Sequence, residues 1–176
     1  MLKDRLENCI RTVPNFPKEG VLFKDITPIL LDAPLCRDLV TAFVCQLEGR
    51  RIDAVCSVES RGFLFGMLLA QYYQVPFIPI RKKGKLPASV LSHTYNLEYG
   101  TATMEMHTGI IEKGMHVLVH DDVLATGGTA AAAAELILQQ QGSISAFCFL
   151  VDLAFLEGTK ILAGYKRPVI SLLQYE

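Results

Sequence analysis

The order of elements along the chain predicts an α/β fold, a parallel sheet with helices on both faces. Compact apolar runs of strand length recur at residues 52–58, 75–80, 115–119, 144–151 and 169–173. Segments with helical periodicity separate most of them, and repeated strand, loop, helix units imply parallel strands covered on both sides. The composition is that of an ordinary globular protein, 51% hydrophobic and 20% charged over 176 residues. That length suits one domain. No repeat, low-complexity tract or Ser/Gly-rich linker marks a boundary, so residues 1–176 are read as a single domain.

Each element has a local reason. A short amphipathic helix carries Leu2, Leu6 and Ile10, and Pro14-Asn15-Phe16-Pro17 stops it. An irregular stretch follows from Gly20 to Asp25. Asp32 and Pro34 open a second helix, with Leu35, Leu39, Val40, Phe43, Val44 and Leu47 at helical spacing and Gly49 just past its end. The strand at 52–58 runs through Glu59-Ser60-Arg61-Gly62 into a helix at 63–73, and a strand at 75–80 follows. The apolar stretch 62–80 approaches the length of a membrane span. Gln71, Gln74, Pro76 and Pro79 interrupt it, so it reads as a buried helix followed by a buried strand, not a span. Period-2 alternation then puts Tyr95, Leu97 and Tyr99 on one face of one segment, and Ala102, Met104 and Met106 on one face of the next. These segments predict an antiparallel flap within residues 82–107. The order resumes with the strand at 115–119, a helix at 129–141 ended by Gly142, the strand at 144–151, a short helix near 153–163 and the last strand.

Charge and cysteine usage narrow the function classes. Lys and Arg number 17 against 18 Asp and Glu, a formal charge of -1. Such a balance argues against a surface built for duplex nucleic acid, which rests on many cationic phosphate contacts. The five cysteines are scattered, odd in number and without a C-x-x-C pair, as expected of reduced thiols in a cytoplasmic protein. Residues 1–7 alternate charge with Leu and contain no apolar core, so no secretory signal is expected.

Ligands of such sheets bind at the carboxyl ends of the strands. There, Asp121-Asp122-Val123-Leu124-Ala125-Thr126-Gly127-Gly128-Thr129 leads from a buried strand into an Ala-rich helix. The two glycines let backbone N–H groups approach a ligand, the threonines add hydroxyls, and the helix N-terminus attracts a phosphate. No Lys follows the glycines, so this is not a Walker loop. Asp121 and Asp122 suit vicinal ribose hydroxyls as acceptors. A sugar carrying a 5′-phosphate fits both ends. His116 and His120 are rejected as a metal pair, because four strand steps span about 13 Å.

This segment resembles the phosphoribosyl pyrophosphate signature of the type I phosphoribosyltransferases, in the form found in members that act on adenine. Agreement extends to Pro14-Asn15-Phe16-Pro17, residues 20–25, Glu59-Ser60-Arg61-Gly62-Phe63, residues 81–87, Leu97-Glu98-Tyr99-Gly100 and residues 171–176, and so covers nearly the whole chain. The resemblance implies a Rossmann-like sheet with a hood-like flap over the active site. It further implies transfer of a 5-phosphoribosyl group to adenine, giving AMP and pyrophosphate, with Mg2+ carried by substrate oxygens and no metal ligand from the protein.

The resemblance also assigns roles. Ala125, Thr126, Gly127, Gly128 and Thr129 would hold the 5′-phosphate, and Asp121 and Asp122 the ribose. Ser60, Arg61, Arg81, Lys82 and Lys85 would hold pyrophosphate, with Arg81 and its neighbours serving the partner of a homodimer. The turn at Glu59-Ser60 is where relatives can hold a non-proline cis peptide. Residues 1–30 would form the base-binding segment, where Phe23 stacks on adenine, backbone groups of Leu22 and Lys24 read its amino edge, and Arg61 assists. Glu98 would exchange a proton with the purine while Tyr99 shields the reaction. Asn15 and Lys24 stand where relatives commonly have Asp and Arg, and His120 is placed to perturb Asp121. Two alternatives stay open: the same chemistry on a 6-oxopurine, and a non-catalytic regulator that senses phosphoribosyl pyrophosphate and binds nucleic acid.

Overall fold

Alternation of buried side chains along the strands builds the architecture. A computed structural model of the chain describes every residue except 17, 21 and 97–99. In chain order the elements are α1 (Leu2–Cys9), β1 (Arg11–Pro14), β2 (Leu22–Asp25), α2 (Ala33–Gln46), β3 (Ala54–Val58), α3 (Gly62–Tyr73), β4 (Phe77–Lys82), β5 (Val90–Asn96), β6 (Thr101–His107), β7 (His116–Leu124), α4 (Gly128–Gln139), β8 (Ser143–Leu153), α5 (Gly158–Leu162) and β9 (Val169–Tyr175). Strands of the main sheet lie in the order β5-β6-β4-β3-β7-β8-β9. From β4 to β9 the neighbours are parallel, and the β5-β6 hairpin joins antiparallel to β4.

The two faces carry separate cores. Ala54, Cys56, Val58, Val117, Val119, Phe147 and Phe149 meet Ala133 and Leu136 of α4 and Leu162 of α5. Val55, Leu118, Ala146, Cys148 and Leu150 meet Leu6 of α1, Leu39 and Phe43 of α2 and Phe65 of α3. Helix α2 illustrates the local logic. Asp32 Oδ1 caps it by accepting from the Leu35 N–H at 2.9 Å. Its stripe Leu35, Leu39 and Phe43 is wholly buried, each side chain contributing about 1.5–3 kcal/mol.

Several boundaries differ from the sequence expectation. The stretch read as irregular contains β2, which pairs with β1 in a separate two-stranded sheet. Asn15, at φ 57°, turns the chain between them, and its Oδ1 accepts from Gly20 N–H at 3.0 Å. Strand β7 extends to Leu124, so Asp121 and Asp122 lie on a strand and not in a loop. The helix expected near 153–163 is divided, because Glu157 at φ 56° separates a 3-10 turn (Ala154–Leu156) from α5. Helix α3 is buried on one face only, leaving Leu64, Met67, Leu68 and Tyr72 exposed. Among the described residues no helix is long and apolar enough to cross a membrane. Leu97 and Tyr99, expected on the flap, lie outside the described residues.

From β3 the chain moves through α3 to β4 on one side, and from β7 through α4 to β8 on the other. The crevice between the carboxyl ends of β3 and β7 is therefore the topological switch point, where such sheets bind ligands.

Candidate active site

Glycines bring the two loops at the switch point together. A Cβ on Gly62, the first residue of α3, would stand 2.7 Å from Asp121 Oδ1 and 3.1 Å from its Cα. Only glycine lets the turn after β3 seat against the acid strand. The Glu59-Ser60 peptide in that turn is cis. Beyond β7, Gly127 at φ 82° forms the N-cap of α4, and a Cβ there would meet the Gly158 carbonyl oxygen at 2.6 Å. Among the described residues no side chain caps α4, which leaves the N–H groups of its first turn for an anion.

The acid pair is strongly perturbed. Asp122, only 4% exposed, forms an ion pair with Arg61, Nε to Oδ2 at 2.7 Å, and its N–H donates to Asp121 Oδ1 at 2.9 Å. Burial, followed by the neighbouring Asp122 charge, holds Asp121 well above the usual carboxylate range. Burial also raises Asp122, while the Arg61 guanidinium opposes the shift. His120 does not act on this pair. Its ring points into the opposite layer, with Nδ1 3.2 Å from Cys148 Sγ and an edge-to-face contact with Phe43. Burial there lowers its pKa to about 4.

Arg61 also reaches the N-terminal hairpin. Its guanidinium lies 4.7 Å from the Phe23 ring centroid, and Phe16 meets that ring edge-on at 5.0 Å. Lys24 Nζ donates to Thr12 Oγ1 at 3.0 Å and sits 3.9 Å from the Tyr175 ring centroid. The basic run that sequence reading treats as a loop begins on the end of β4, where Arg81 and Lys82 pair with β6, and it is folded on carboxylates. Arg81 Nε donates to Glu59 Oε2 at 2.6 Å and its Nη1 to the Lys85 carbonyl at 2.9 Å. The Lys82 N–H donates to Glu59 Oε1, and the Gly84 N–H to Glu105 Oε2. Against the effect of burial, Arg81 and the Lys82 N–H hold Glu59 below its ordinary value.

A cavity of about 540 Å³ joins these parts. It brings together Leu22, Phe23, Lys24, Ser60, Arg61, Lys82, Asp121, Asp122, Ala125 and Thr129. Thr126 and Gly127 line an adjoining pocket that shares Asp121, Ala125 and Thr129. Gly128 follows at the start of α4, beneath the Tyr95 ring. Arg81 and Lys85 are not among the residues lining the cavity, and Glu98 and Tyr99 lie outside the described residues.

Among the described residues, sequence reasoning missed six that line the cavity, Val58, Glu59, Tyr95, Met104, Val123 and Leu153. Tyr95 is the most specific of them. Its ring carbons would stand 3.0 and 3.1 Å from a Cβ on Gly128, and its hydroxyl shares a 2.9 Å hydrogen bond with Thr129 Oγ1. Alternation placed Tyr95 on the apolar face of the flap but held no signal for what that face covers. Among the described residues no cluster of three His, Cys, Asp or Glu side chains could hold a metal.

Comparison with known proteins agrees with this geometry. The phosphoribosyl transferase domain family matches residues 30–156. The adenine phosphoribosyltransferase of Flavobacterium johnsoniae is 50% identical over 171 residues, 97% of this chain and 99% of its own. The crystal structure of the Thermoanaerobacter pseudethanolicus adenine phosphoribosyltransferase superposes with a TM-score of 0.95 at 44% identity, covering 98% of this chain and 99% of that one. The Saccharomyces cerevisiae adenine phosphoribosyltransferase, complexed with an imino-altritol bisphosphate and adenine, superposes at 0.91 with 40% identity and 98% of each chain covered.

Proposed function

Because the chain belongs to the phosphoribosyl transferase family, in the branch that acts on adenine, we propose how its residues move a 5-phosphoribosyl group from phosphoribosyl pyrophosphate to adenine, giving AMP and pyrophosphate. One observation carries the assignment of roles: the acid strand, the phosphate-type loop and the aromatic hairpin face one cavity.

In this reading Ala125, Thr126, Gly127, Gly128 and Thr129 bind the 5′-phosphate at the N-terminus of α4. Asp121 and Asp122 accept from the ribose hydroxyls, and the burial that raises their proton affinity supports a ligand that brings donors to them. Ser60, Arg61 and Lys82 balance the pyrophosphate that leaves as carbon 1 becomes oxocarbenium-like. Arg81 and Lys85, outside the cavity of their own chain, serve a partner's site. Phe23 stacks on the base while backbone groups of Leu22 and Lys24 read its amino edge, leaving a 6-oxopurine with unpaired polar atoms. Glu98 exchanges a proton with the purine and Tyr99 shields the site from water.

The hard carboxylate oxygens of Asp121 and Asp122 at the cavity fit Mg2+ carried by substrate oxygens and water, and the ion would supply charge neutralisation of the pyrophosphate. The exposed apolar side chains Leu64, Met67, Leu68 and Tyr72 on α3 support a homodimer. The five free thiols support a reducing, cytoplasmic setting. Asp121→Ala tests the ribose assignment: the KM for phosphoribosyl pyrophosphate should rise about 10-fold or more with the KM for adenine little changed. A selective rise in the adenine KM would refute it.

A further inference from the structure

We propose that Tyr175 is a positioning residue for the base pocket, its ring holding Lys24, and with it β2, at the level where Leu22, Phe23 and Lys24 meet the incoming base. The inference rests on the adenine reading of the cavity. Strand β2 is not part of the main sheet; its ladder partner is β1 alone. Something other than sheet hydrogen bonds must therefore set its distance from the strand ends that bind the rest of the substrate. The Asp25 contacts, with Arg11 and Thr27, stay within the hairpin and the turn that follows it. From the described side chains of β2, ring contacts reach further, Phe23 to Arg61 and Lys24 to Tyr175.

These two contacts differ in kind. Arg61 lines the cavity and is itself paired with Asp122, so its position is tied to the substrate site. Tyr175 is a fixed reference. It pairs with Leu153 in the β8-β9 ladder, Leu153 lines the cavity, and the Tyr175 ring packs against the core beneath α1 and α2. An ammonium 3.9 Å from the ring centroid is attracted to the ring face, not to the hydroxyl. Burial, and after it the Glu7 charge, raises the pKa of the hydroxyl. The base strand is thereby tied to the last strand of the main sheet through one cation and one aromatic face.

The test separates the ring from the hydroxyl and the base from the other substrate. Tyr175→Leu should raise the KM for adenine about two- to fivefold, the range of a single cation–π contact, with kcat and the KM for phosphoribosyl pyrophosphate unchanged. Tyr175→Phe, which keeps the ring face, should match the wild type. Lys24→Met should reproduce the leucine effect, and it supplies the same readout should the leucine variant fail to fold. Combining the two should add nothing further. An unchanged adenine KM in Tyr175→Leu and Lys24→Met, or an equal rise in Tyr175→Phe, overturns the proposal. So does a loss shared by both substrates that tracks a lowered Tm, since that marks a general structural role. A wild-type protein that makes no AMP would instead overturn the reading on which the proposal rests.

Discussion

Replacing His120 by valine should remove a large part of the acid sensitivity of this fold. The imidazole is wholly buried between β7 and α2, with Nδ1 on Cys148 and Nε2 without a hydrogen-bond partner among the described residues. Burial lowers its pKa from 6.5 to about 4. In the unfolded chain it returns to the ordinary value, so between about pH 6.5 and 4 the unfolded state binds a proton that the folded state refuses. Stability therefore falls as pH falls through that window, and this contribution is flat above it and below it. The gap of roughly 2.5 in pKa, at about 1.4 kcal/mol for each tenfold change in proton affinity, corresponds to about 3 kcal/mol in full. Urea unfolding of wild type and His120→Val at pH 7.5, 6.5, 5.5 and 4.5 measures it. Carboxylates titrating in both proteins cancel in the difference. The variant should gain about 2–3 kcal/mol on the wild type between pH 7.5 and 4.5, whatever cavity cost valine brings at all pH values. Parallel stability curves would refute the buried, neutral imidazole.

Three further outcomes follow from the site. Asp121→Asn keeps the acceptor for the Asp122 N–H but removes a carboxylate whose pKa is raised by burial and by Asp122. A carboxylate raised above its unfolded value costs stability at neutral pH, so the variant should unfold at higher urea at pH 7.5, with the gain vanishing below about pH 4, while kcat/KM for phosphoribosyl pyrophosphate drops about 10- to 100-fold. Gly127→Ala forces a side chain into a left-handed position against the Gly158 carbonyl; a loss of about 1–3 kcal/mol by chemical unfolding is expected, with a raised KM for phosphoribosyl pyrophosphate. Glu98→Gln should lower kcat about 100-fold or more with an unchanged Tm, and an unaltered kcat would remove Glu98 from proton transfer.

The sheet was legible because its strands are buried on both faces. Runs such as Ala54-Val55-Cys56-Ser57-Val58 admit no other use between turn residues and helices. The phosphate-type loop was legible because Gly, Thr and a helix start occupy consecutive positions. The β1-β2 hairpin was not: its arms are four residues long with one buried side chain, Asp25, between them, too short for a period to emerge. Asp121 and Asp122 were placed in a loop because charge at the end of a strand interrupts the apolar signal that marks it. Tertiary partners were invisible throughout. Arg81 reads as a free cation in the run Arg81-Lys82-Lys83, yet Glu59, 22 residues earlier, takes its guanidinium. Tyr95 meets Thr129 across 34 residues, a contact made by the packing of β5 on α4 and not by any local pattern.

On the reading proposed above, one cavity joins a ribose-phosphate site to a pocket selective for a 6-aminopurine. Product formation from phosphoribosyl pyrophosphate and Mg2+, with adenine, hypoxanthine and guanine supplied separately, tests it most directly. Rapid AMP formation is expected with adenine, and at most trace nucleotide from the other two bases. Equal rates with guanine or hypoxanthine would contradict the role given to Leu22, Phe23 and Lys24, and no nucleotide from any base would contradict the catalytic reading itself.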